Sequence, residues 1–96
     1  MKISRAKHRG LRNFIEGNDP RGLPANYVDK IRKMISFLRV IESIDELHAV
    51  SFWNVHPLSG DRQGVWSLTV SRNWRLTFQI DYEAKAIIDL DFEDYH

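Results

Sequence analysis

The chain predicts an α+β domain, with two N-terminal helices packed on one face of a mainly antiparallel sheet. Three observations carry that expectation. Apolar residues recur at helical spacing as far as about residue 41, and at alternating spacing after His48. The period changes once, so helices precede strands and do not interleave with them. Short runs of turn chemistry separate the alternating segments, which suits a meander of neighbouring strands.

Lys2-Ile3-Ser4 is short enough to serve as an edge strand. From about Arg5 to Glu16, Leu11, Phe14 and Ile15 hold i, i+3, i+4 spacing while Lys7, Arg9 and Arg12 stay polar, which predicts a basic amphipathic helix. Gly10 counts against it on propensity. Gly17-Asn18-Asp19-Pro20-Arg21-Gly22 ends it as a turn. Pro24 suits the first turn of a second helix, whose stripe of Tyr27, Val28, Ile31, Met34, Ile35, Leu38 and Ile41 is core. Ser43-Ile44-Asp45-Glu46 has capping-box spacing for one short helical turn. Strands are then expected over Phe52 to Leu58, Val65 to Val70, Trp74 to Ile80 and Ala86 to Phe92. Ile88, Leu90 and Phe92 are assigned to the core face of the last. The opposite sheet face, with Ser67, Thr69, Arg75, Thr77 and Gln79, is expected to be polar and open, and a function is expected there.

Ninety-six residues fit one domain over 1–96, and a 43% apolar content supports a real core. The absence of cysteine excludes disulfides and thiolate–zinc sites. No secretory leader and no run near ~18 apolar residues is present, so a cytoplasmic chain with no membrane partner is expected. The net charge of +1 hides an asymmetry. Residues 1–50 carry ten Lys/Arg against six Asp/Glu, or +4, and residues 51–96 carry four against seven, or −3. The basic half suits nucleic-acid phosphates or an acidic partner, and equally an ordinary solvated helix face.

The chemistry-bearing residues concentrate late in the chain. The run Asp89-Leu90-Asp91-Phe92-Glu93-Asp94-Tyr95-His96 is dense in proton-transfer groups, and a terminus of that kind has to be tied down by the sheet before it acts. Arg75 is the lone cation of its strand. Its guanidinium suits a bidentate phosphate grip, or an ion pair with Asp89 or Asp91 on a neighbouring strand. His56 brings an imidazole, the side-chain type that exchanges protons near neutrality, although a single His before a proline is also an ordinary structural residue. Metal-independent RNA cleavage needs a base for the 2′-hydroxyl, a cation for the phosphorane and an acid for the departing 5′-oxygen. His56 or Asp94 suits the base, Arg75 the cation, and Tyr95 or His96 the acid. No HExxH-like spacing and no phosphate-binding Gly-rich loop is present, so neither a metal nor another cofactor is expected.

At these residues the chain resembles the HigB toxins of the RelE/ParE superfamily in bacterial toxin–antitoxin modules. The resemblance runs through Lys7-His8-Arg9-Gly10-Leu11, Gly22-Leu23-Pro24-Ala25, His56-Pro57-Leu58-Ser59-Gly60-Asp61-Arg62, Trp66-Ser67, Asn73-Trp74-Arg75-Leu76-Thr77-Phe78 and Glu93-Asp94-Tyr95-His96. It implies a RelE-like, microbial-ribonuclease-type fold and a toxin that cleaves mRNA in the ribosomal A site. It also implies a helix-turn-helix HigA-like antitoxin, with operator DNA bound through that antitoxin. By motif the catalytic histidine falls on His56, the phosphate-binding arginine on Arg75, and the terminal acid, tyrosine and histidine on Asp94, Tyr95 and His96. The expected contacts to mRNA and the 70S ribosome are Lys2, Arg5, Lys7, Arg9, Arg12, Lys30, Arg32, Lys33 and Arg62. Two departures stand out. Several relatives carry lysine where this chain has Ser59, a charge that Arg62 would have to supply. Asp94 shares strand parity with Leu90 and Phe92, so the strand has to end or twist before it joins Arg75. Two other classes of function remain: a ParE-like inhibitor that binds DNA gyrase, and a non-catalytic RNA-binding module.

Overall fold

The computed structural model describes residues 1–95. Helix α1 spans Arg9–Gly17 and α2 spans Val28–Val40. Five strands, β1 Lys2–Ile3, β2 His56–Pro57, β3 Trp66–Thr69, β4 Trp74–Asp81 and β5 Ala86–Asp94, form one sheet in the order β1-β5-β4-β3-β2. The pairs β2–β3, β3–β4 and β4–β5 are antiparallel, and β1 lies parallel to β5. The α+β architecture expected from the single change of period is the one observed.

The first helix begins later than its spacing suggests. Residues 5–7 are held in extended form against β5: the Leu90 N–H donates to the Arg5 carbonyl (3.1 Å) and the Lys7 N–H to the Leu90 carbonyl (2.7 Å). His8 then caps α1, its Nδ1 accepting the Leu11 N–H at 3.1 Å. Asn18, at φ 53°, closes the helix in the left-handed conformation. Gly10, unfavourable by propensity, has a packing reason. A Cβ there would overlap the carbonyl of Gly22, so α1 can lie against the turn Pro20–Gly22 only with glycine at that point. Pro24 precedes a short turn, Ala25–Tyr27, that leads into α2. Ile31, Met34, Ile35 and Leu38 face inward from α2, at the spacing that predicted a core stripe.

Both helices serve one face of the sheet. Leu11, Phe14, Ile31, Met34 and Leu38 pack in one cluster with Leu68, Leu76, Phe78, Ile87, Leu90 and Phe92. Among the described residues, no helix is long and apolar enough to cross a membrane.

Three expectations need correction. The strand predicted over Phe52 to Leu58 is only His56–Pro57. Ser51–Trp53 forms a helical turn that sends Trp53 into the core, and Asn54 at φ 49° breaks any extended run. In β5 the inward residues are Ile87, Leu90 and Phe92, and Ile88 is only half-buried. The cause is a bulge: Gln79 pairs with Ile88 and Thr77 with Asp91, so Phe78 alone faces both Asp89 and Leu90, and Asp89 adopts φ 54°. Finally, the polar face is not open. Ser67 is 0% and Thr77 1% exposed, for reasons that belong to the site.

Candidate active site

Cross-strand register decides which side chains share the polar face, because directly opposed residues project to the same side. His56 on β2 faces Ser67 on β3, which faces Thr77 on β4, which faces Asp91 on β5. The adjoining row runs Thr69, Arg75, Glu93. Strand spacing of about 4.8 Å sets His56 and Arg75 two strands apart, roughly 10 Å sideways, and one row, about 7 Å, along the strands on the same face.

Each member is held by a specific contact. The half-buried His56 ring sets Nδ1 at 2.8 Å from the Asn54 carbonyl. A carbonyl only accepts, so Nδ1 carries the hydrogen and Nε2 keeps its lone pair for a proton. The left-handed Asn54 that ends the predicted strand is what turns this carbonyl toward the ring. Arg75 is half-buried, its guanidinium 5.0 Å from the centre of the Tyr95 ring. Its Nε is buried with no hydrogen-bond partner among the described residues, as is the Ser67 hydroxyl. An unpaired buried donor costs about 1–3 kcal/mol, and more when charged, so an acceptor of negative charge is what this corner would bind best.

Tyr95 extends the sheet one residue past β5. Its N–H donates to the Asn73 carbonyl (2.9 Å), and its hydroxyl lies 2.9 Å from Thr69 Oγ1. The tie-down expected of a reactive terminus is therefore present as far as Tyr95. His96 lies outside the described residues.

The parity problem at Asp94 resolves against a twist. β5 stays in register to its end, with Asp94 opposite Trp74 and Glu93 opposite Arg75. Trp74 stacks on Phe92 at 4.5 Å on the core side. Of the two, Glu93 and not Asp94 is thus on the polar face, where Asp91 stands in the adjoining row. Glu93 accepts from both terminal nitrogens of Arg62, at 2.7 Å each, and from the Thr77 hydroxyl. The Arg62 hydrogen bonds hold its carboxyl down at about 2; Thr77 and the Arg75 charge act the same way, and burial opposes them. Arg62 reaches Glu93 from the turn Gly60–Arg62, so the β2–β3 loop has to fold across the polar face. That roof is why Thr77 is buried. Of the two partners considered for Arg75, Asp89 pairs instead with Arg5 at 3.0 Å, and Asp91 lies opposite Thr77 and accepts the Phe92 N–H at 3.0 Å.

The basic residues of the N-terminal half are not gathered here. Lys2, Lys7, Arg9, Arg12 and Lys33 are exposed and Lys30 is half-exposed. Arg32 lies over the Phe14 ring at 4.8 Å and donates to Asn18. The helices bearing most of them cover the opposite sheet face, so their outward sides point away from Arg75. Arg62 alone of that group stands at the polar face. Sequence reasoning missed Glu93 as a site residue. The available signal was strand parity, since Glu93 alternates with Phe92 and Asp94.

Comparisons with known proteins identify the family. Residues 4–96 match the family of HigB-like toxins, described as the RelE-like toxin of the type II toxin–antitoxin system HigB. The chain is 42% identical over 94 residues to the endoribonuclease HigB of Proteus vulgaris, covering 98% of this chain and 99% of that protein. Its fold is similar to a YoeB/ParE toxin from Agrobacterium tumefaciens, with a TM-score of 0.65 over the whole of both chains at 16% identity. The chain belongs to the HigB-like family of RelE-like toxins of type II toxin–antitoxin systems.

Proposed function

We propose that this chain is a ribosome-dependent endoribonuclease toxin that cuts mRNA in the A site and thereby stops translation and growth. The observation that carries the chemistry is the polar face itself. A histidine whose Nδ1 is held by a carbonyl, an arginine whose buried Nε has no partner among the described residues and a tyrosine hydroxyl occupy neighbouring rows of one rigid sheet. His56 takes the proton of the 2′-hydroxyl, which attacks the adjacent phosphorus. Arg75 stabilises the doubly charged phosphorane, and the bond to the 5′-oxygen breaks as that oxygen receives a proton from Tyr95 or His96. The products are a 2′,3′-cyclic phosphate and a free 5′-hydroxyl. The geometry favours His56 over Asp94 as base, because Asp94 lies across from Trp74 on the core side of the strand. Asp94 is left to act at the rim, beside the last residues. Lys2, Arg5, Lys7, Arg9, Arg12, Lys30, Arg32 and Lys33 supply longer-range attraction to ribosomal RNA, and Arg62 a closer contact.

As a type II toxin the chain has an antitoxin as partner. We take that antitoxin to be a helix-turn-helix protein of the HigA kind, which carries the pair to operator DNA. Toeprinting of translating ribosomes tests the central reading. Wild type is expected to leave cut ends at codon-linked positions, and His56→Ala and Arg75→Ala to leave none. Equal growth inhibition by all three proteins would sink the site assignment. Intact mRNA together with inhibited gyrase supercoiling would replace cleavage with a binding mechanism.

A further inference from the structure

Glu93 presents a contradiction. It adds a negative charge directly opposite Arg75, at the place where the proposed reaction brings a phosphate. A carboxylate there weakens anion binding unless it does something else. Its contacts show what that is. Glu93 takes both terminal nitrogens of Arg62, a residue of a loop with Gly60 at φ 66° and Gly64 at φ 95°, and ties them to β5. Thr77 holds the carboxylate from the other side. An arginine has five N–H groups, and this grip uses two of them. Nε–H and one hydrogen on each terminal nitrogen remain to donate. The Arg75 Nε has no partner among the described residues.

We propose that Glu93 is a positioning residue: it fixes the loop guanidinium of Arg62 beside the strand guanidinium of Arg75, and the two act as one clamp on the reacting phosphate. The inference rests on the endoribonuclease reading. Arg62, Arg75 and Glu93 together carry one net positive charge, which Asp91 in the adjoining row offsets, so the clamp holds a phosphate by its directed N–H donors and not by net charge. The reaction takes the phosphate from one negative charge to two, so a clamp already in place favours the transition state over bound substrate. A loop arginine left to itself would first have to be ordered.

Two other roles for Glu93 make different demands. A general base needs a pKa near the working pH, and Glu93 is held at about 2, far too low for efficient proton abstraction. A carboxylate that only repels RNA would make its removal beneficial.

The experiment measures mRNA cleavage by toxin on programmed ribosomes at subsaturating and saturating ribosome concentrations. The proteins are wild type, Glu93→Gln, Arg62→Ala, Arg62→Lys and the double variant Arg62→Ala/Glu93→Gln. Arg75→Ala serves as the inactive reference and Glu83→Gln, in the exposed β4–β5 turn, as a surface control. Glu93→Gln is expected to lower kcat about tenfold to a hundredfold while KM stays or falls, since a negative charge has gone. Arg62→Ala lowers kcat similarly. Arg62→Lys keeps the charge but not the two-nitrogen grip, and stays impaired. The double variant is no slower than the slower single one, because both substitutions remove the same arrangement. Full-rate cleavage by Glu93→Gln, or losses that multiply in the double variant, would overturn the inference. So would full-rate cleavage by a folded Arg62→Ala protein, however Glu93→Gln behaves. A wild type that leaves mRNA intact fails at the earlier step and removes the endoribonuclease reading along with the clamp.

Discussion

The two faces of β4 follow opposite rules. On one, Leu76 and Phe78 are buried under α1 and α2 with neighbours that could exchange volume among themselves. On the other, Arg75 and Thr77 are covered by an ion pair reaching over from a loop. The apolar face gains stability from area removed from water and does not depend on exact partners. The polar face depends on who faces whom: Thr77 to Glu93, Glu93 to Arg62, Tyr95 to Thr69 and to Arg75. It tolerates a buried Nε and a buried serine hydroxyl with no partner among the described residues, a cost that a face built only for stability would avoid. The lesson is that one strand can divide stability and chemistry between its alternate residues.

The contrast predicts separable losses. Leu76→Ala is expected to cost about 2–5 kcal/mol, lowering the melting temperature by at least about 10 °C, with cleavage per folded molecule unchanged. Calorimetry with an activity titration reads both, and a specific activity that falls with Tm would break the division. Its neighbour Arg75→Ala should do the reverse. Activity falls by about a hundredfold or more, and stability shifts by roughly 0.5 kcal/mol or less, since Arg75 leaves a buried donor without a partner among the described residues. A large drop in melting temperature would show the arginine to be structural.

Acid should strike the polar face first. Glu93 is held at about 2 against an ordinary 4.5, so folding favours its ionised form. Its contribution is whole above about pH 4.5 and is lost as the pH falls toward 2. After allowance for solvent screening, it amounts to about 1–2 kcal/mol. Denaturant melts of wild type and Glu93→Gln from pH 6 to pH 2 should therefore converge on acidification. Asp19, also lowered to about 2 by Arg21, is common to both proteins and cancels in the difference. Parallel curves would mean that the ion pair adds nothing in solution. The smallest effect is Tyr95→Phe. It keeps the ring under Arg75 but loses the bond to Thr69, for about 0.5–1.5 kcal/mol by thermal melting. A rate loss beyond that expected from stability would sharpen the case for the hydroxyl as proton donor.

Local pattern made much of this molecule legible. Helical and alternating periods located the elements, α2's stripe named its core, and motif order pointed to His56, Arg75, Asp94, Tyr95 and His96. Of these the sheet sets His56, Arg75 and Tyr95 on one face and Asp94 opposite Trp74 on the other, with His96 outside the described residues. Pattern failed where a residue's conformation was set from elsewhere in the chain. The helix start at Arg9 was hidden because residues 5–7 pair with Leu90, far away in sequence. The turn at Ser51–Trp53 was hidden because Trp53 is drawn into a core that alternation does not describe.

By itself, then, the sequence determined the class of fold, the family and the kinds of group available for chemistry, because each follows from short-range spacing or motif order. Only the tertiary structure decided which carboxylate faces Arg75. The bulge at Asp89 and the unbroken register beyond it put Glu93 on the polar face and Asp94 across from Trp74. They also let Arg62 find a partner 31 residues away. Register is a property of paired strands, and a single strand read alone does not contain it.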